Sequence, residues 1–347
     1  MTVMSNEMNN VVEDRYQLCK YLYLIKKETD KRNRKNKEDG KKLHKRVDIF
    51  ALPSHIKILF GVFMETPQYT EIATLVGHTS NVTCLTIREN KLYSGGGYND
   101  GTVRVWNTET NKLVATLRGH TLGVYCLTHH ENKVYSGSGD NTIRIWNTET
   151  YEEIAILEGH TDSVYSLTLH ENKLYSGSKD KTIRVWDTET YETITILRGH
   201  TDSVNCLTLH ENKLFSAHWD TIRIWNTDTY ETIAILDAKI NNVFCLTIHE
   251  NTLYVGSMGK TIRVWNTETY EEMNNLMGNT SPMLCRTHFE NKLYSGGWDN
   301  TIRVLDTETH EENAILRGHT DFVRCLVRHE NKLYSGSDDK TIRVWTI

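Results

Sequence analysis

One unit of about 40 residues recurs along most of this chain. Its opening Gly-His is found at His78, His120, His160, His200 and His319. A Trp near its end is found at Trp106, Trp146, Trp186, Trp225, Trp265 and Trp345, and Leu305 takes one further Trp position, which makes seven copies. A unit this short cannot bury its own apolar face, so the copies must stack against one another.

Apolar runs alternate with short polar breaks inside each unit. In the copy that contains Trp186, the runs 164–169 and 174–176 flank a His-Glu-Asn-Lys break, and the runs 182–186 and 193–197 follow two further breaks. Short apolar runs joined by such brief turns predict a small antiparallel sheet of four strands rather than βαβ units.

The placement of the Gly-His and of the Trp, with Asp after it at Trp186, closely resembles the WD40 repeat family over residues 70–347. The resemblance implies an all-β fold, a seven-bladed WD40 β-propeller behind a short, partly helical N-terminal extension at residues 1–69. The repeats are most similar to those of F-box/WD-repeat and TRAF-type WD-repeat proteins.

The two ends of the repeat region are complementary fragments of one blade. Nothing resembling an outer strand follows the run 341–345, whereas residues 71–76 (EIATLV) resemble an outer strand that no inner strands precede. We therefore expect residues 71–76 to complete the last blade and to close the ring, which leaves no open sheet edge.

The N-terminal extension carries three features of its own. Residues 16–25 form an apolar and aromatic cluster that predicts a helix, and residues 31–46 hold nine Lys and Arg. This basic run has the composition of a solvated linker and also that of a nuclear-import signal. Residues 50–63 have apolar residues at helical spacing and resemble the first helix of an F-box, but the segment is too short for the full set of helices of that domain.

Charge and composition exclude several classes of function. Residues 1–69 hold 14 Lys and Arg against 9 Asp and Glu, whereas the repeats hold 26 against 36. An acidic propeller argues against nucleic-acid binding through the ring. Because there is neither a signal core nor a run of 18 apolar residues, the sequence predicts a cytoplasmic, monomeric propeller without membrane association, or a nuclear protein if residues 31–46 act as an import signal.

The cysteines and histidines do not converge on one point. Cys84, Cys126, Cys206, Cys245, Cys285 and Cys325 occupy the same position in successive units, which indicates a small apolar filler rather than a disulfide framework. The His residues before the Glu-Asn turns also occur once per unit, so we expect no metal site and no cofactor.

A His-Ser-Asp-Trp set recurs in five units, and in WD-repeat proteins it resembles a buried structural hydrogen-bond chain. The sets are His78, Ser94, Asp100 and Trp106; His120, Ser136, Asp140 and Trp146; His160, Ser176, Asp180 and Trp186; His200, Ser216, Asp220 and Trp225; and His319, Ser335, Asp339 and Trp345. Five identical active sites would be strange in an enzyme, so we interpret the sets as structural and expect no catalysis. Units five and six lack the set, with Lys239, Val255 and Gly259 in the fifth and Asn279 and Leu305 in the sixth.

One face of the propeller, the top face, carries the Gly-His loops and the loops before each Asp of the set. Unlike the opposite face, it differs from unit to unit. By resemblance to WD-repeat proteins, the predicted partner-binding residues on it are Tyr125, Tyr165, Lys179, His218, Trp219, Phe244, Trp298, Phe322 and Arg324. Clustered aromatic side chains with an Arg are typical of interface hot spots.

These features predict a non-enzymatic scaffold that binds a peptide or a partner protein on its top face. Receptors for phosphorylated peptides use several Arg at these positions, whereas this chain has Arg324 and Lys179, so apolar or aromatic anchors are the better expectation. The alternative is a substrate-recognition subunit of an SCF-type ubiquitin ligase that uses residues 50–66 as a degenerate F-box.

Overall fold

The computed structural model describes residues 69–238, 242–258, 261–277, 282–289, 291–307, 309 and 311–347. The predicted helix at 16–25, the basic run at 31–46 and the F-box-like segment at 50–66 lie outside these residues. The described residues form 28 strands in seven antiparallel sheets of four strands each. The predicted all-β, seven-bladed propeller is confirmed.

The strands follow chain order from the centre of each blade outwards. Blade one contains β2 (Val82–Arg88), β3 (Lys91–Gly96), β4 (Val103–Asn107) and β5 (Leu113–Leu117). Blade two contains β6 (Val124–His130), β7 (Lys133–Ser138), β8 (Ile143–Asn147) and β9 (Glu153–Leu157). Blade three contains β10 (Val164–His170), β11 (Lys173–Ser178), β12 (Ile183–Asp187) and β13 (Thr193–Leu197). Blade four contains β14 (Cys206–His210), β15 (Lys213–His218), β16 (Thr221–Asn226) and β17 (Thr232–Asp237).

The remaining blades repeat this order, with one exception at the end. Blade five contains β18 (Val243–His249), β19 (Thr252–Ser257), β20 (Thr261–Asn266) and β21 (Glu272–Met277). Blade six contains β22 (Met283–Phe289), β23 (Lys292–Gly297), β24 (Thr301–Asp306) and β25 (Glu312–Arg317). Blade seven contains β26 (Val323–His329), β27 (Lys332–Ser337), β28 (Thr341–Thr346) and, as its outer strand, β1 (Glu71–Val76).

Closure of the ring depends on the pairing of β1 with β28. The register runs antiparallel from Glu71 opposite Trp345 to Val76 opposite Thr341. The Thr346 N–H donates to the Thr70 carbonyl at 2.9 Å, and Arg343 pairs with Glu71. Leu75 is buried in one apolar cluster with β28 residues. Residues that are far apart in sequence therefore complete one sheet, as the sequence predicts.

The core lies between blades, because each sheet is buried on both faces by its neighbours. The second strand of each blade is almost fully buried, whereas the outer strands expose most of their length. One cluster combines Tyr135 and Ile143 of blade two with Val164 and Trp186 of blade three. Five of the six repeat-position cysteines are buried and Cys245 is partly buried, and burial raises the pKa of Cys84 to about 12.

A second contact between blades lies at the face opposite the Gly-His loops, the bottom face. The Lys133 ammonium donates to the Thr188 carbonyl of the next blade at 3.0 Å and lies 5.0 Å from the centre of the Tyr191 ring. Tyr191 has a positive φ of 64° in the turn before its outer strand. Tyr69, just before β1, takes the same role toward Lys292 of blade six, at 5.6 Å. The propeller unit accordingly begins at Tyr69.

Two further observations concern membrane-spanning helices and metal ligands. Among the described residues, no helical segment has the length and apolar character that crossing a bilayer requires. Within the same ranges, no three His, Cys, Asp or Glu side chains converge as metal ligands would.

Candidate functional site

A hydrogen-bond chain runs from the interior of a blade to its top loops. In blade two, the Trp146 indole donates to the Ser136 hydroxyl at 2.8 Å, and this hydroxyl lies 2.8 Å from Nε2 of His120. The Nδ1 atom of His120 lies 2.8 Å from Asp140. Blades one, three and seven have the same three contacts, at 2.7 to 3.1 Å. The structure thus assembles the predicted sets in these four blades.

The aspartate carboxylate at the end of each hydrogen-bond chain connects two loops, the Gly-His loop and its own. Asp140 accepts hydrogen bonds from the Thr121 N–H and from the N–H and hydroxyl of Thr142. Burial alone would raise the pKa of Asp140, but the hydrogen bonds from His120 and Thr142 outweigh it and hold this pKa well below its usual range. The serine hydroxyls are fully buried, and the chain supplies the hydrogen-bond partners that buried polar groups require.

Blade four departs from the prediction at its Asp. Asp220 does not contact His200; its carboxylate is bonded to Thr221 instead. The loop is one residue shorter than in blade three, so His218 pairs with Thr221 across a two-residue turn and Asp220 is pushed to the surface. The assignment of Asp220 to the buried set is therefore wrong.

His218 fills the position that Asp220 vacates. It is 4% exposed, its Nδ1 lies 2.9 Å from Nδ1 of His200, and its Nε2 lies 3.0 Å from the Thr201 hydroxyl. Burial is the main cause that lowers the pKa of His200 to about 3, and the nearby His218 and Arg223 lower it further. Burial also lowers the pKa of His218. The prediction of His218 as an exposed partner contact is contradicted, because this ring belongs to the interior.

Blades five and six have no such chain among their described residues. With Val255 in the Ser position, the Trp265 indole N–H is buried without a hydrogen-bond partner. In blade six, Leu305 is buried in the Trp position, and Asp299 bonds with Thr301 and Arg303. The other substituted positions, 239, 259 and 279, lie outside the described residues.

The structure brings four of the predicted top-face aromatic residues into two pairs. The rings of Tyr125 and Tyr165 have centroids 5.6 Å apart. Trp298 and Phe322, from blades six and seven, stack at 5.3 Å with planes 9° apart. Phe244 is half-buried in blade five and is not part of either pair.

Trp219 forms neither pair and is the most exposed of the predicted aromatic residues that project from the top face. Half of its surface (50%) is accessible, compared with 37% for Trp298. Two further exposed side chains of the top-face loops lie outside the predicted set: Tyr98, 63% exposed on the longer loop of blade one, and Met258, 42% exposed on blade five. The two extra residues between Ser94 and Asp100 were the sequence signal for Tyr98.

Both predicted cations of the top face are already paired. Arg324 donates from Nε and Nη2 to the two carboxylate oxygens of Asp338, both at 2.7 Å, and these bonds raise the Arg324 pKa. Lys179 lies 3.4 Å from Asp162. A phosphate group would therefore have to compete with a bidentate carboxylate already in place.

The bottom face is nearly the same in successive blades. Asn90 donates to Glu109 at 2.9 Å in blade one, Asn132 to Glu149 in blade two and Asn172 to Glu189 in blade three. This repetition fixes the turns but offers little to distinguish one partner from another, whereas the top face varies from blade to blade.

Comparison with known proteins agrees with this architecture. The WD domain, G-beta repeat family matches residues 69–107, 111–147, 151–187, 191–226, 231–266 and 310–346. The unit of blade six falls between the last two matches. The crystal structure of the computationally designed Ika8 protein is similar, with 28% identity, a TM-score of 0.67, and coverage of 80% of this chain and 99% of that chain. No curated protein matches. The chain belongs to the WD domain, G-beta repeat family.

Proposed function

We propose that this protein is a non-enzymatic interaction scaffold whose top face binds a peptide or a loop of a partner protein. The WD40 propeller fold is consistent with a scaffold, and the choice of face rests on one observation. Exposed aromatic side chains, Trp219 and Trp298 foremost, stand on a top face that differs in every blade, above a bottom face that repeats.

The top-face aromatic residues are held in place before any partner arrives. The Trp298–Phe322 stack joins two blades, and the Arg324 guanidinium lies 6.0 Å from the centre of the Phe322 ring while it is fixed by Asp338. Ordered side chains lose little conformational entropy on binding, which favours affinity. A large aromatic surface of this kind is typical of residues that dominate binding energy.

Charge at the same face indicates the class of peptide. Arg324 and Lys179 are paired with Asp338 and Asp162, so neither of these two cations is free for a phosphate group. A peptide with apolar or aromatic anchors, without multiple phosphates, therefore fits the described side chains better than a phosphorylated one.

Peptide selection on the intact protein tests this function. Random 12-residue peptides displayed on phage would be selected on the full chain, and the bound sequences would be measured by fluorescence polarisation. We expect the combined change Trp219→Ala, Trp298→Ala and Arg324→Ala to weaken binding by at least about tenfold. A matched bottom-face control, Glu109→Gln with Glu149→Gln and Glu189→Gln, should leave binding unchanged.

Two outcomes would contradict the proposal. If no peptide is selected, or if the bottom-face control rather than the top-face variant loses binding, the top face is not the recognition surface. Melting curves of both variants distinguish lost binding from lost folding.

The ligase alternative involves residues 50–66, outside the described part of the chain. Pull-down of the ligase adaptor with and without residues 1–69 tests it, since capture that depends on those residues is what this alternative predicts.

A further inference from the structure

Blade four differs from its neighbours by a single missing residue, with three effects at one place. Blade three has Lys181 between the Asp and the Thr of this loop, whereas in blade four Thr221 directly follows Asp220. His218, in the buried position of Ser178, contacts His200; the shortened loop places Asp220 on the surface and leaves Trp219 at the tip of a two-residue turn.

The turn holds Trp219 in a rigid and unusual conformation. Its φ is +29°, a region that bulky side chains avoid unless their surroundings enforce it. The surroundings here are two backbone hydrogen bonds. The Val243 N–H of blade five donates to the Trp219 carbonyl at 2.8 Å, and the Ala238 N–H, just after the outer strand of blade four, donates to the Asp220 carbonyl at 2.7 Å. The exposed indole is therefore presented on a fixed support, without a ring partner among the described residues.

Two carboxylates accompany this indole. Asp220 follows Trp219 directly, and Asp202 follows Thr201, whose hydroxyl lies 3.0 Å from the buried His218 ring. Both aspartates are exposed, and both act electrostatically on His218. Their own hydrogen bonds are local, to Ser203 and Thr221, and neither forms an ion pair within the described ranges.

Two cations of the described residues act near the turn. Lys181 of blade three is exposed and acts on Asp202 at longer range, and Arg223 acts on the buried histidines. In the equivalent positions of blade three, Asp180 contacts His160 and Asp162 pairs with Lys179. Within the described ranges, blade four thus presents an aromatic ring and two carboxylates that no cation contacts.

We propose that Trp219, together with Asp202 and Asp220, receives an arginine side chain of the bound peptide. This inference rests on the proposed peptide-binding function and adds the chemistry of one anchor. A guanidinium stacks flat on an indole and donates to carboxylates from its edge, so one side chain meets both features at once. Met258, exposed on the next blade and bonded through its N–H to Asn242, offers apolar surface for the residues beside that arginine.

The peptide selection on the full chain also tests this anchor, through its consensus. We expect the selected 12-residue peptides to share an arginine. The tightest of them should bind Trp219→Ala about tenfold more weakly, as expected for a cation on an aromatic face with nearby carboxylates. Asp202→Asn with Asp220→Asn should weaken binding severalfold and reduce its dependence on NaCl concentration.

Matched controls come from the corresponding loops of other blades. Tyr98→Ala removes an exposed top-face ring without adjacent free carboxylates, and Asp321→Asn removes the blade-seven equivalent of Asp202. Both should bind the peptide as the wild type does. The Asp→Asn pair retains the hydrogen-bond acceptors, so it remains informative if Trp219→Ala fails to fold.

A double-mutant cycle gives the decisive comparison. With the peptide arginine replaced by glutamine, Trp219→Ala should have no further effect, because the two groups contact each other. Selected peptides without arginine, or equal losses for both peptides, would overturn the arginine site while the proposed function stands. If no peptide is selected at all, both proposals fail.

Discussion

Blades three and four show what one residue changes in a repeated unit. Both contain the Trp–Ser–His series, with Trp186 and Trp225 each donating at 2.8 Å. In blade three the series ends on Asp180, and in blade four it ends on the neutral ring of His218. The first ending ties the loops together with a buried carboxylate, whereas the second releases that carboxylate to the surface, where it becomes available to a partner.

The largest difference should follow removal of the histidine from each blade. His160→Ala leaves the carboxylate of Asp180 buried without its histidine, which we expect to cost about 3 kcal/mol of unfolding free energy. His200→Ala leaves only neutral groups, for a loss of about 1–2 kcal/mol. Urea unfolding of the two variants measures this; equal losses would show that the two endings are energetically equivalent.

Restoring the missing residue should stabilise blade four. Replacing residues 217–220 (Ala-His-Trp-Asp) with residues 177–181 of blade three (Gly-Ser-Lys-Asp-Lys) lets an aspartate reach His200. We expect a gain of about 1–2 kcal/mol, because a charged acceptor replaces a neutral one. The same variant should lose affinity for arginine-containing peptides. A lower melting temperature would contradict the first expectation.

Hydrogen exchange should separate the regular sector from blades four to six. Blade five buries the Trp265 indole N–H without a partner, and blade six has Leu305 in place of Trp. We expect amides in β19 and β20 to exchange about tenfold faster than those in β11 and β12, since local opening costs less there. Uniform protection across all seven blades would refute this sector's lower stability.

Stability should depend on pH through blade four above pH 4.5. The folded pKa of His200 is about 3, below the value of about 6.5 of an unfolded histidine. The unfolded chain therefore binds more protons as the pH falls below about 6.5, and the stability present above that pH is lost by up to about 1.4 kcal/mol per pH unit for each such group.

The aspartates of the regular blades behave differently, because their lowered pKa values matter only below about pH 4. Melting temperatures at pH 7.5 to 4.5 measure the histidine effect. The loop-exchange variant removes His218 and gives His200 an aspartate partner, so its slope should be smaller by about one to two protons. The remainder comes from His129 and His288, whose pKa values are also lowered. An unchanged slope would place the effect outside blade four.

The smallest expected effect concerns the outer strands. Four blades pair an Arg of the third strand with a Glu of the outer strand, as in Arg144–Glu153, whereas Thr232 of blade four lies in the position of that Glu. Thr232→Glu should pair with Arg223 and add about 0.5 kcal/mol at low salt. Thr232→Gln is the neutral control, and a gain that persists in 1 M NaCl would argue against an ion pair.

Repetition made most of the architecture predictable. Seven copies, four strands in each and the closing strand at 71–76 all follow from the spacing of a few residue types. The failure at Asp220 has a physical cause: alignment places Asp220 in the column of Asp180, but a turn shortened by one residue no longer aims that side chain inward.

The candidate site was less predictable than the fold, since it depends on contacts between blades. Nothing in the sequence alone shows that Trp298 stacks on Phe322 of the next blade or that Asp338 neutralises Arg324. The role of Tyr69 against the lysine of the neighbouring blade could have been predicted from the sequence. Tyr69 comes just before the outer strand β1, as Tyr151 and Tyr191 come just before the outer strands β9 and β13.

The pairing of β1 with β28 also fixes the order of events during translation. β1 is the first propeller strand to leave the ribosome, yet its partner is the last, so the segment EIATLV spends the synthesis of the whole ring without its neighbour. Six sheets can form in sequence behind it, but the seventh is complete only after β28 has been synthesised. A nascent chain stalled before residue 341 would therefore be an unclosed propeller with an apolar sheet face exposed at each end. Such a form is prone to aggregation and is the one most in need of a chaperone.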